Sequence, residues 1–139
     1  HGRTKSQGYR PPAFWDRIGL IRQAITLPVI ANGEVWNAED AHRCLQESGC
    51  NALMLGRGAV SDPFLAQRLR GAHLHSGWPE LLQRLQVFIT ELNGSGSDSQ
   101  VSGRVKQWLN YLRRDCAEAE VLYQQMVRLR RPEEMLALL

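Results

Sequence analysis

The sequence predicts an α/β plus all-α protein, with a short parallel β-α-β segment first and a small helical bundle after it. Three observations carry this. Pro28-Val29-Ile30-Ala31-Asn32-Gly33-Glu34 and Asn51-Ala52-Leu53-Met54-Leu55-Gly56-Arg57-Gly58-Ala59 are short apolar runs that stop at glycine with a polar side chain beside it. Neither alternates as a half-exposed strand does, and unbroken runs of this kind fit strands buried on both faces of a parallel sheet. Between them lies a capped helical pattern. From Trp78 onward, apolar residues recur at helical spacing to the end of the chain.

Taken in order, the chain opens with a polar, basic loop that includes His1-Gly2-Arg3-Thr4-Lys5, Gly8, Tyr9 and Arg10. Phe14, Ile18, Ile21 and Ile25 then lie on one helical face, with Leu20 nearby. Pro28 leads into a first strand, Val29–Ala31. Asn37 suits a helix N-cap, with Glu39 and Asp40 in the first turn, where acidic groups favour the helix dipole. Ala41, Cys44 and Leu45 form its inward stripe, and Gly49 is its stop. A second strand, Ala52–Leu55, follows. Asp62 is then the expected cap of a helix with Pro63 at its first position and Phe64, Leu65 and Leu69 behind it. This alternation of helix and strand is the rhythm of a parallel α/β protein. Two parallel strands cannot close a barrel or cover a sheet, so the segment reads as part of a larger one.

After residue 71 the character changes. Residues 72–77 read as a linker, with His73 and His75 as linker groups. Trp78-Pro79-Glu80 starts a helix whose face holds Leu81, Leu85, Phe88 and Leu92, widened by Leu82 and Ile89. Residues 93–102 are rich in Gly, Ser and Asp and read as a loop. Val105, Trp108, Leu109 and Leu112 form the next stripe, from Gly103 onward, and Ala119, Leu122, Met126 and Leu129 the one after. A last short helix begins at Pro132, with Glu133 and Glu134 at its positive end. The expected organisation is thus 1–71, a linker 72–77, and a helical domain 78–139.

Composition narrows the function classes. A hydrophobic content of 43% in 139 residues is that of a globular protein, and a net charge of +3 permits an anionic partner without requiring one. No apolar run approaches the roughly 20 residues of a membrane span. The three cysteines, Cys44, Cys50 and Cys116, have no metal-ligand spacing and suit reduced thiols of a cytoplasmic protein. No metal is expected.

The strand-end glycines allow two readings. They turn the chain, or they let a ligand approach the backbone: Gly33, Gly56 and Gly58 expose N–H groups without a Cβ, Arg57 adds a permanent charge, and a helix start nearby favours an anion. The bundle's charges are similarly open. Arg104, Lys106, Arg113, Arg114, Arg128, Arg130 and Arg131 face Asp115, Glu118 and Glu120, as a solvated surface or as a phosphate-contacting one beside Tyr111 or Tyr123. Trp108 belongs with the apolar stripe.

These blocks, in this order, resemble the tRNA-dihydrouridine synthases: His1-Gly2-Arg3-Thr4-Lys5 with Gly8-Tyr9, then Pro28 to Glu34, then Met54 to Ala59. Arg104-Val105-Lys106-Gln107-Trp108-Leu109, with Tyr111-Leu112-Arg113, resembles the bacterial C-type branch, which acts on uridine sixteen of the tRNA D-loop. The likeness covers essentially the whole chain.

The resemblance implies the C-terminal part of an FMN-binding TIM (β/α)8 barrel, its last two strands with their helices, followed by a tRNA-binding helical domain. In that family FMN delivers hydride to a uridine, NADPH re-reduces the flavin, and a cysteine acts as acid. Carried over by motif, His1, Asn32, Gly33, Glu34, Gly56 and Arg57 are the cofactor-binding candidates. Tyr9, Arg104, Lys106 and Arg128 are the candidates for tRNA. The phosphate site would follow strands seven and eight, where such barrels commonly bind phosphate. The family's first barrel half and its cysteine loop have no counterpart in these 139 residues. No catalytic residue is therefore assigned, and the chain alone is expected to be inactive. The parent protein is expected to be a cytoplasmic monomer. Two alternatives stay open: a stand-alone RNA-binding module, and part of another FMN- or phosphate-binding barrel oxidoreductase.

Overall fold

The computed structural model describes residues 1–8, 10–72 and 77–139 and divides into two compact units, His1–Leu74 and His75–Leu139. In the first unit, a 3-10 turn over Lys5–Gln7 precedes α1 (Trp15–Ala24), β1 (Ala31–Asn32), α2 (Ala38–Ser48), β2 (Leu53–Met54), α3 (Arg57–Ser61) and α4 (Leu65–Leu69). The strands pair in parallel, Ala31 with Leu53 and Asn32 with Met54, in an open two-stranded sheet. Helices flank this sheet, and the second unit adds a helical bundle.

Local chemistry sets the ends of α2. Asn37 accepts from the Asp40 N–H at 2.8 Å, and Gly49 closes the helix at φ 63°, a left-handed conformation that glycine adopts without Cβ strain. The helix buries Ala41, Cys44 and Ser48. With Trp15, Ile18, Ala31, Val35 and Cys50, the first two of these make the unit's core.

Three expectations need correction here. The buried face of α1 is Trp15, Ile18 and Gly19, whereas Leu20, Ile21 and Ile25 are exposed. Trp15 opens the inward face in place of Phe14. Gly19 then lets α1 approach the end of α2, since a Cβ there would lie 3.2 Å from the Ser48 carbonyl oxygen. The strands are also shorter than expected and are not buried on both faces: Ile30 and Met54 are each 55% exposed, and among the described residues the sheet has only two strands. Finally, a helix begins directly at Arg57. Asp62 caps the following turn, its side chain accepting from the Phe64 N–H at 3.0 Å, so Pro63 lies in the capping turn and not inside a helix.

The second unit comprises α5 (Trp78–Leu92), α6 (Asp98–Leu112), α7 (Ala117–Met126) and α8 (Pro132–Leu136). Its core joins Leu85 and Ile89 of α5, Val101, Val105, Leu109 and Leu112 of α6, Ala119, Leu122 and Met126 of α7, and Met135 of α8. Trp108 packs against this core and meets the Phe88 ring edge-on at 4.9 Å between centroids. Residues 98–102, expected in a loop, are the first turn and a half of α6. Ser97 caps it in a capping box with Gln100, and Val101 supplies the buried contact that polar residues around it concealed. His73 and His75 lie outside the described residues.

Candidate functional site

Both strands of a parallel sheet point their C-terminal ends the same way, and the residues that follow them meet there. Gly33 and Glu34 follow β1, and Gly56 and Arg57 follow β2. The first segment of the chain reaches the same place: the Gly2 N–H donates to the Asn32 carbonyl at 2.9 Å, and the Gly2 carbonyl accepts from the Phe14 N–H at 2.7 Å. The structure thus brings together His1, Asn32, Gly33, Glu34, Gly56 and Arg57. His1 lies beside Gly33, where an added Cβ would come 3.6 Å from the imidazole Cε1.

Glu34 is the hub. Its Oε1 accepts from Arg3 Nη2 and from Arg57 Nη2, both at 2.7 Å, and its Oε2 accepts from Trp36 Nε1 at 2.9 Å. Its backbone has φ 52°, the one left-handed non-glycine residue among those described. Such a conformation persists only where the surroundings over-determine it. Burial alone pushes the carboxyl up. Hydrogen bonds from Trp36 and Arg3, with the charges of Arg3 and Arg57, outweigh burial and hold it below the ordinary carboxylate range. The Arg57 guanidinium also lies 5.3 Å from the Trp36 ring centroid. Two guanidinia thus share one carboxylate.

Three residues of this network escaped assignment from sequence. Arg3 and Trp36 flank residues that were singled out, but nothing in their spacing shows that they converge. Trp15 is the third: its Nε1 donates to the Gly33 carbonyl at 2.7 Å and fixes the turn at φ 126°. The glycines also divide by role. Gly56 opens onto space, with nothing within 4 Å of an added Cβ, whereas Gly58 is pressed against the Val35 carbonyl. Gly58 therefore serves chain packing and not ligand approach. Asn32 turns its side-chain amide toward Met54 Sδ at 3.2 Å. The helix start at Arg57 belongs to a helix of only five residues, too short for a sizeable dipole.

The cysteines are free thiols. Cys44 and Cys50 are buried in the first core, and burial, reinforced by Cys50 and Glu47, pushes the Cys44 thiol up to about 11. Cys116 is also raised, chiefly by burial. None of the three follows the C-terminal end of a strand. Among the described residues no cluster of His, Cys, Asp and Glu could hold a metal ion, and no helix is long and apolar enough to cross a membrane.

In the helical unit, Arg104 is exposed on α6 and Lys106 half-buried, and Arg128 is exposed just after α7. These three form no ion pair among the described residues, unlike Arg113, which pairs with Glu120 at 3.1 Å and lies 4.1 Å over the Tyr123 ring. Because α6 is regular through Gly103, Arg104 and Lys106 project about 200° apart. Tyr9 lies outside the described residues.

A family model described as dihydrouridine synthase matches residues 1–139. Among similar proteins, the tRNA-dihydrouridine(16) synthase of Ralstonia nicotianae is 44% identical over 143 residues, covering 100% of this chain and 44% of that protein. That of Shewanella oneidensis is 41% identical, again over 100% of this chain and 44% of its own length. That of Escherichia coli strain K12 is 44% identical over 89% of this chain and 40% of its own. The chain spans less than half the length of these relatives. It belongs to the dihydrouridine synthase family.

Proposed function

We propose that the chain is part of a flavin-dependent tRNA-dihydrouridine synthase that reduces the C5=C6 bond of a D-loop uridine, uridine sixteen. The observation that carries this is the convergence of His1–Arg3, Asn32–Glu34 and Gly56–Arg57 at the C-terminal ends of two parallel strands. That edge is where parallel α/β folds place their ligands. The residues there suit FMN: the partly exposed Arg57 guanidinium for the phosphate and an open approach at Gly56. Arg57 would face the phosphate, held by Glu34, while Asn32 and the Gly33 backbone would line the approach. When bound, FMN supplies the hydride and NADPH restores it. The uridine must leave its stack to be reached, at lower cost in a loop than in a duplex.

None of the three cysteines follows the C-terminal end of a strand, so no acid is assigned within these 139 residues, and the chain by itself is proposed to be inactive. The helical unit is proposed to contact tRNA through Arg104, Lys106 and Arg128. With the first two on opposite sides of α6, the RNA backbone must pass around the helix and not across one flat face.

Filter binding of unmodified tRNA over a salt series tests the RNA half of this reading. Each lost phosphate contact lowers the slope of log affinity against log salt by about one. Arg104→Ala, Lys106→Ala and Arg128→Ala are expected to do so, with Arg70→Ala as an exposed control in the other unit. Tail variants that bind like the parent at every salt concentration would overturn the assignment.

A further inference from the structure

Asparagine precedes glycine at two places, Asn32-Gly33 and Asn93-Gly94, and the fold holds the two pairs differently. In such a pair the glycine backbone nitrogen can attack the asparagine side-chain Cγ, because no Cβ crowds the approach. The attack needs the linking peptide to rotate about the asparagine Cα–C bond, so it depends on what fixes that peptide. Asn32-Gly33 is fixed at three points. The Asn32 carbonyl accepts from the Gly2 N–H at 2.9 Å, the Asn32 side-chain amide donates to Met54 Sδ at 3.2 Å, and the Gly33 carbonyl accepts from Trp15 Nε1 at 2.7 Å. Asn93-Gly94 lies exposed between α5 and α6. Among the described residues, neither the Asn93 carbonyl nor the Gly94 N–H has a hydrogen-bond partner. Nothing lies within 4 Å of a Cβ placed on Gly94, whose φ is 90°. The neighbouring N–H groups are anchored, Asn93 to the Ile89 carbonyl at 2.9 Å and Ser95 to the Leu92 carbonyl at 3.0 Å. One free peptide plane therefore sits between two fixed ones.

We propose that Asn93 is a site of spontaneous deamidation, with Gly94 supplying the attacking nitrogen, and that the fold protects Asn32 from the same reaction. The Gly94 nitrogen gives up its proton and bonds to Asn93 Cγ. The Cγ–Nδ2 bond breaks, and Nδ2 leaves as ammonia. The resulting five-membered succinimide then takes up water. Opening at Cγ gives aspartate, and opening at the main-chain carbonyl carbon gives isoaspartate, with the chain routed through Cβ. No oxidant or reductant enters: amide and water become carboxylate and ammonium. Either product lowers the net charge of +3 by one and puts a carboxylate just beyond the C-terminal end of α5, where the helix dipole disfavours it. The isoaspartate form also lengthens the connection to α6 by one backbone carbon.

The test is incubation of the 139-residue chain at mildly acidic and mildly alkaline pH, folded and in concentrated guanidinium chloride, followed by peptide mapping with mass spectrometry. The peptides that contain Asn93 and Asn32 are compared for the mass change from –NH2 to –OH and for the split into two products of equal mass. In the folded chain Asn93 is expected to convert faster at alkaline pH, in step with hydroxide, because the attacking nitrogen must lose its proton. Asn32 is expected to convert on the order of a hundredfold more slowly, the opening penalty of its three hydrogen bonds. In guanidinium chloride the two rates are expected to converge. Gly94→Ala is expected to slow Asn93 about tenfold, since a Cβ crowds the nitrogen and disfavours a φ of 90°. An Asn93 that stays intact in the folded chain, whatever it does in the unfolded one, would overturn the site. Equal rates for Asn93 and Asn32 in the folded chain would overturn the protection. Should Gly94→Ala fail to fold, the comparison of the folded and unfolded parent still decides.

Discussion

Gly58 and Val35 are in closer contact than any side chain would permit: a Cβ on Gly58 would lie 2.0 Å from the Val35 carbonyl oxygen. The obstruction is backbone and cannot rotate aside. Gly58→Ala is therefore expected to destabilise the chain by about 3 kcal/mol, at the upper end of overpacking effects. Gly103→Ala is the counterpart. It sits mid-helix with nothing within 4 Å of an added Cβ, so it should stabilise by about 0.5–1 kcal/mol. Urea denaturation of both variants checks the pair, and a Gly58→Ala midpoint equal to the parent's would contradict the packing described.

Glu34→Gln removes the carboxylate that the Arg3 and Arg57 guanidinia share. Breaking a buried pair by deleting one partner costs about 3–5 kcal/mol, and the 17% exposure of Glu34 places this case near the lower end. Equilibrium denaturation is the measurement. A loss below about 0.5 kcal/mol would mean that the arginines do not depend on this carboxylate.

The same group makes stability depend on pH in a defined direction. The folded Glu34 carboxyl titrates below its ordinary value of 4.5. Its contribution is therefore fully present above that value and is lost as pH falls through the lower, folded one. The parent should lose stability in this acid range more steeply than Glu34→Gln does. Denaturation midpoints at a series of pH values between neutrality and the acid limit decide the point; parallel profiles would exclude Glu34 as the source.

At the start of α6, Ser97 and Gln100 satisfy each other's backbone N–H groups. Ser97→Ala should cost about 1 kcal/mol of stability in the helical unit. Were residues 93–102 an open loop, the substitution would change nothing measurable.

Leu20, Leu27, Ile30 and Met54 expose 55% or more of their surface in the first unit, and both outer strand edges are unpartnered within the described sheet. Unpaired edges and contiguous apolar surface favour self-association. Light scattering of the 139-residue chain should show mass rising with concentration. A constant monomer mass up to high concentration would contradict this.

What the sequence determined by itself was local. The Asn37 cap, the Gly49 stop, the start of α5 at Trp78, the stripe of α7 and the start of α8 at Pro132 each rest on a few neighbouring residues, so their signals survive without knowledge of the fold. The motif blocks at the strand ends were legible for a related reason: an apolar run that stops at a glycine marks a strand end from its own neighbours. Tertiary structure decided the rest. Which side of α1 faces inward depends on α2, and polar neighbours masked Val101 as the inner residue of an early turn of α6. Arg3, Glu34 and Arg57 meet across separations of 31 and 23 residues, so only the parallel pairing of β1 with β2 and the clamp at Gly2 bring their charges together. A buried ion pair has no periodicity and no local signature. Its partners are chosen by distance in space, which the order of residues along the chain does not state.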